Sequence, residues 1–135
     1  LNHNIETVER VFRFVRAKGD YKLSLDLLLK AKELNNYSVT KSGMMVGLGE
    51  SWDEIVSTMK DLRAADCDLL SIGQYIKPTP KHAKVEKWYK PEEFDQMRDI
   101  GLELGFKGVV AGPLVRSSYK ADEQYYQAKG LIPIN

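Results

Sequence analysis

The stretch "CDLLSIGQYI", Cys67 to Ile76, decides the fold. Its first half is almost continuously apolar, as strands buried on both faces of a parallel sheet are. Two helical patterns flank it. Before it, "SWDEIVSTMKDLRAAD" carries Ile55, Met59 and Leu62 at helical spacing. Ser51 is the expected N-cap there, with Asp53 and Glu54 in the first turn facing the helix dipole. After it, "PEEFDQMRDIGLELG" opens on Pro91, follows with acids and closes on Gly105.

Outward from this centre the alternation continues. "VTKSGMMVGLG" and "FKGVVAGPLV" read as two further strands. "ETVERVFRFVRA" and "YKLSLDLLLKAKEL" read as helices, the first with Val8, Val11, Phe12 and Val15 as its stripe and Thr7 as its cap. "KADEQYYQAKG" is expected as a closing helix. The initial "LNHNIET" reads as the end of a strand and the loop after it, so the chain is expected to be cut from something longer, or processed. Strands alternating with helices imply a parallel α/β sheet. A closed eight-stranded barrel needs roughly 250 residues. The 135 residues here suit one domain, half a barrel or a small open sheet.

Composition narrows the function. Twenty basic and nineteen acidic residues leave a net charge of +1, which gives no general electrostatic reason to expect nucleic acid or a membrane surface as partner. No apolar run is long enough for a transmembrane helix. The single cysteine, Cys67, excludes an internal disulfide and fits a reducing compartment. It reads as a small buried hydrophobe.

In parallel α/β folds, ligands gather beyond the carboxyl ends of the strands. Four endings stand there: "NHNIET", "GLGES", "GQYIKPTP" and "GPLVRSSY". All are rich in glycine, amide, hydroxyl or charged groups. "GMMVGLGE" is neither a P-loop nor a dinucleotide fingerprint, and a tight strand-to-helix turn explains its glycines equally well. His3 is expected in a structural hydrogen bond, and His82 is expected exposed in a solvated, lysine-rich loop. Two distant histidines and one cysteine give poor support for a metal site.

Taken in order, "NHNIET", "TKSGMMVGLGE", "LLSIGQYIKPTPKH", "KPEEF" and "GPLVRSSYKADE" resemble the C-terminal half of lipoyl synthase, over nearly the whole chain. "NHN" and "GLGE" also resemble the related biotin synthase; "RSSY" after "GPLV" points to lipoyl synthase. The resemblance implies a partial parallel (β/α) barrel of the radical S-adenosylmethionine type, this chain being its C-terminal half, with the RSSY segment at about 113–135. It implies S-adenosylmethionine and two [4Fe–4S] clusters as cofactors, and sulfur insertion at C6 and C8 of an octanoyl group. The implied partners are an octanoylated lipoyl-carrier protein and an electron donor such as ferredoxin or flavodoxin, with no nucleic acid and no membrane. The implied compartment is the bacterial cytoplasm, or the mitochondrion in a eukaryote.

Carried onto this sequence, the resemblance makes Ser118, with Ser117 as the alternative, a ligand of the auxiliary cluster, and gives Arg116 a role in orienting that loop or balancing its charge. Asn4 and Glu6 are expected at the ribose or methionine moiety. Val46 and Gly47 are expected beside the adenosyl group, Ser24 and Lys41 at the carboxylate, and Gln74 and Tyr75 in another wall of the cleft. No catalytic residue is expected within the chain. The family's cysteine motifs would lie before Leu1, so the isolated chain is expected to be inactive. Two alternatives stand beside this reading: a non-catalytic half-barrel that self-associates through its open sheet edge or docks to a partner, and a portion of a biotin synthase-like enzyme.

Overall fold

The structure, a computed structural model, describes residues 1–115 and 129–131. Arg116, Ser117, Ser118 and most of the expected closing helix lie outside the described residues. The elements run α1 (Glu9–Val15), α2 (Tyr21–Leu34), β1 (Lys41–Val46), α3 (Trp52–Ala64), β2 (Leu69–Gln74), α4 (Pro91–Glu103) and β3 (Gly108–Gly112). The three strands form one parallel sheet in the order β1-β2-β3.

Local chemistry sets the helix ends. The Ser51 hydroxyl accepts from the Glu54 N–H, and the Glu54 carboxylate accepts from the Ser51 N–H, a complete capping box. Asp20 caps α2 by accepting from Lys22 and Leu23 N–H. Pro91 opens α4, and Gly105, at φ 106°, turns the chain out of it. The expected cap of α1 is corrected. Val8 takes the N-cap position with no side-chain bond, while Thr7 is fully buried. Thr7 N–H bonds to Ile5 O at 2.9 Å, a tight turn that carries its side chain inward and away from the helix end.

That turn belongs to a bulge. The N-terminal segment lies beside β1 in parallel, with bridges Asn2↔Lys41 and Glu6↔Met44. Four residues advance on one side against three on the other, so one residue is inserted. Ile5 N–H, displaced from the ladder, donates to Ser42 Oγ at 3.0 Å, and Glu6 sits at φ 72°.

Strand alternation separates two faces of the sheet. Met44 and Val46, Leu70 and Ile72, and Val109 join one cluster with Ile55, Met59 and Leu62 of α3 and Phe94 and Met97 of α4. Successive right-handed crossovers in one direction put both helices on the same side. A doubly wound sheet would instead reverse direction and cover both faces. The architecture is therefore that of part of a (β/α) barrel, with helices outside and the opposite face turned inward.

At the amino-terminal edge, an ion-pair clamp ties the layers together. Lys32, on α2, bonds through its ammonium to Asp68 Oδ2 and to Ser38 O, and both charged residues are buried. Asp68 also accepts from Thr40 N–H at 3.0 Å and lies 3.7 Å from Lys107 Nζ. Burial alone would push the Asp68 carboxyl up. Lys32, the Thr40 N–H and Lys107 outweigh it and hold the group below the usual carboxylate range. Cys67 sits beside this clamp, fully buried, its thiol pushed up to about 12 by burial first of all.

Candidate functional site

The carboxyl edge of the sheet is where a parallel fold presents its chemistry. The face opposite the helices carries the row Met45–Gly73–Gly112, in register across the three strands, and below it Gly43–Ser71–Val110. These rows make a floor with few bulky side chains, in which Gly43, Ser71 and Gly73 are buried and Met45, Val110 and Gly112 are half-buried. Such a floor suits a flat ligand approaching the backbone closely.

The outer rim of the same edge is held by side chains. Glu50, buried at the turn after β1, accepts from Gly47 N–H at 3.0 and 3.1 Å and from Leu48 N–H at 3.0 Å. It also accepts from Tyr89 O–H at 2.8 Å. Burial pushes the Tyr89 hydroxyl up, and the hydrogen bond to Glu50 pushes it further. Gln74 is committed on both ends of its amide. Its Nε2 donates to Tyr75 O at 3.0 Å and Lys87 O at 2.9 Å, and its Oε1 accepts from Tyr89 N–H at 3.0 Å. Tyr75 O–H donates to Ala83 O at 2.6 Å, and Glu86 N–H donates to Gly47 O at 2.8 Å. Together these bonds strap the loop between β2 and α4 to the end of β1.

The expected site residues distribute unevenly around this edge. Val46, Gly47, Gln74 and Tyr75 are brought together, but in this strap. Val46 lies in the helix-facing core, and its carbonyl accepts from Tyr75 N–H at 2.8 Å. Their hydrogen bonds hold these four residues at the carboxyl ends of β1 and β2. Ser24 is buried on α2 and its hydroxyl lies 3.0 Å from His3 Nε2, which gives His3 the structural bond expected of it. Lys41 stands at the amino end of β1, about 16 Å of strand below Val46. Asn4 and Glu6 are half-buried and flank the inserted residue. The bulge breaks the simple alternation that would have put them on one face.

Three features escaped the sequence reading. Glu50 was only one letter of "GLGES", although an acid just past a strand-end glycine pair is placed to collect unpaired N–H groups. Met45 and Gly73 face away from the helices, and only the packing direction reveals it. Thr7 Oγ1 is buried with no hydrogen-bond partner among the described residues, at the end of the first parallel segment.

Among the described residues no group of three or more His, Cys, Asp or Glu is arranged to hold a metal. Cys67 does not fit a cluster ligand, being buried at the opposite edge with a protonated thiol.

Relatives decide the family. A lipoyl synthase of Caldanaerobacter subterraneus subsp. tengcongensis is 53% identical over 130 residues, 96% of this chain and 46% of that protein. A lipoyl synthase of Staphylococcus epidermidis is 58% identical over 128 residues, 95% of this chain and 42% of that protein. By sequence, the chain belongs to the lipoyl synthase family. A third relative of that name, from Geobacillus kaustophilus, is 56% identical over 128 residues, 95% of this chain and 43% of that protein. The chain thus spans less than half the length of these curated lipoyl synthases, which fits the expected C-terminal portion. No family model matches it.

Proposed function

We propose that this chain forms the C-terminal part of the barrel of a lipoyl synthase, an enzyme inserting two sulfur atoms at C6 and C8 of a protein-bound octanoyl group. The carrying observation is the identity of 53–58% to relatives of that name over nearly the whole chain. The inward face with its Met45–Gly73–Gly112 row supports the reading, since its glycines suit S-adenosylmethionine lying against the backbone. When bound, that cofactor supplies the radical that removes hydrogen from the acyl chain. The chain's residues form its floor, while Glu50, Gln74 and Tyr75 fix the rim.

In this reading residues 1–135 are one part of the core domain. Asn4 and Glu6 meet the ribose or methionine moiety, and Ser24 and Lys41 remain candidates for the carboxylate. Ser118, or else Ser117, ligates the auxiliary [4Fe–4S] cluster, with Arg116 beside it. The single cysteine cannot supply the thiolates of two clusters, so the isolated chain is inactive. The partners are an octanoylated lipoyl-carrier domain and a low-potential electron donor, and the compartment is cytoplasmic. No helix among the described residues is long and apolar enough to cross a membrane.

The test uses the full-length protein, reconstituted anaerobically with iron and sulfide and given S-adenosylmethionine, reductant and octanoylated carrier. Mass spectrometry should find two sulfur atoms replacing two hydrogens. Cofactor cleavage with an unaltered octanoyl group would refute the reading. For the ligand, Ser118→Ala should impair assembly of the auxiliary cluster, and full assembly with full turnover would sink that assignment.

A further inference from the structure

The loop between β2 and α4 is strongly basic. Lys77, Lys81, Lys84, Lys87 and Lys90 stand against one acid, Glu86, giving +4 within a chain of net charge +1, so the remainder is net acidic. All five lysines are exposed. Lys87 pairs with Glu93 at 2.9 Å, but Lys77, Lys81 and Lys84 form no ion pair among the described residues. The inner side of the loop is fixed by the bonds from Gln74, Tyr75 and Gly47 described above. The charge is therefore held in place on the outer rim of the candidate site. At its two ends stand exposed apolar side chains, Ile76 at 50% and Trp88 at 64%.

Folding does not need this arrangement. Like charges along one loop repel, and two large apolar groups left in water gain nothing by burial. An approaching partner would use both: lysines steer an acidic surface from a distance, and Ile76 and Trp88 supply apolar contact once it arrives. The loop holds five lysines and no arginine. Phosphate-rich ligands favour the bidentate guanidinium, whereas solvated ammonium groups suit diffuse attraction to carboxylates.

We infer that this loop is the docking surface for the acidic face of the protein that carries the acyl substrate, and that it sets the rate of encounter. The inference rests on the lipoyl synthase reading for the substrate's being borne by a protein.

The test measures association of the non-octanoylated carrier domain with the full-length protein, by stopped-flow Trp88 fluorescence across a range of salt. Wild type should associate at a rate that falls steeply with salt. K77E/K81E/K84E should associate at least about tenfold more slowly at low salt, with a weakened salt dependence. Its circular dichroism and melting should match wild type, since the three side chains are exposed. A variant on-rate equal to wild type, or a wild-type on-rate insensitive to salt, would overturn the inference. So would a variant that loses binding to oligouridine yet keeps its carrier on-rate, for the surface would then serve nucleic acid. Docking is read without turnover, so the two readings separate. Salt-dependent docking without sulfur insertion defeats the reaction and leaves the surface, and insertion with salt-independent docking defeats only the surface.

Discussion

Replacing Glu50 with Gln tests the rim most directly. The carboxylate accepts from three groups, Gly47 N–H, Leu48 N–H and Tyr89 O–H, at 2.8 to 3.1 Å. Glutamine keeps the volume and one carbonyl oxygen. That oxygen can still serve the two N–H groups, while the amide nitrogen now meets the Tyr89 hydroxyl and forces it to accept. Three charge-assisted bonds become neutral ones. Hydrogen bonds to charged groups contribute about 1.5–3 kcal/mol and neutral ones about 0.5–1.5, a loss of about 1–1.5 per bond, so the exchange should destabilise by about 3–4.5 kcal/mol. Urea denaturation reads this as a lower midpoint at an unchanged slope. A second readout is specific to the contact. Tyr89 is held above its ordinary value by burial and then by Glu50, so spectrophotometric titration of Glu50→Gln should show one tyrosine ionising closer to pH 10. A stability change within about 0.5 kcal/mol, the range of ordinary surface substitutions, together with an unmoved tyrosine would refute the reasoning.

At the other edge, Asp68→Ala should destabilise by about 3–5 kcal/mol, because it leaves the Lys32 ammonium buried with Ser38 O alone. Lys32→Met should be milder, since Asp68 keeps Thr40 N–H and Lys107; denaturation midpoints in the reverse order would contradict this account. Gly47→Ala should destabilise by about 1–3 kcal/mol or more, as φ is 110° and the added carbon would lie 2.4 Å from Gln74 Nε2; an unchanged melting curve would count against it. Tyr21 and Tyr89 are both held above 10, chiefly by burial. The folded state therefore keeps protons that the unfolded state releases, so stability should be full below pH 10 and fall as pH rises beyond it. Melting temperatures that stay flat above pH 10 would show that neither hydroxyl is held.

What could be read from the sequence was whatever short-range chemistry decides. Ser51 with Glu54, Pro91 and Gly105 mark helix ends within a few residues, and Ile55, Met59 and Leu62 repeat at the helical period, all fully buried. The continuous apolar start of "CDLLSIGQYI" identified a strand covered on both faces. The site was harder to read because its bonds span long separations. Glu50 meets Tyr89 across 39 residues, and Gln74 meets Tyr89 across 15. Nor does a period of two say which alternate residues face the helices, and only the packing shows that Val46 joins the core while Met45 lies opposite. One inserted residue near Ile5 was enough to hide both the fate of Thr7 and the facing of Asn4 and Glu6.

The two edges of the sheet use polar groups in opposite ways. At the amino edge Lys32 and Asp68 neutralise each other across two layers. At the carboxyl edge Glu50 and Gln74 are turned down onto backbone groups and Tyr89, so their bonds fix where the β2–α4 loop lies and leave Lys77, Lys81 and Lys84 exposed on the outside. In barrels of this kind the amino edge carries stability and the carboxyl edge chemistry. It follows that Asp68→Ala and Glu50→Gln, although similar in denaturation, should separate in limited trypsin digestion. Releasing the strap should expose cleavage after Lys81 and Lys84 in Glu50→Gln under native conditions. Breaking the amino-edge clamp should expose those sites only as the whole chain unfolds. Equal, loop-specific cleavage in both variants would mean that the rim is not an independent unit.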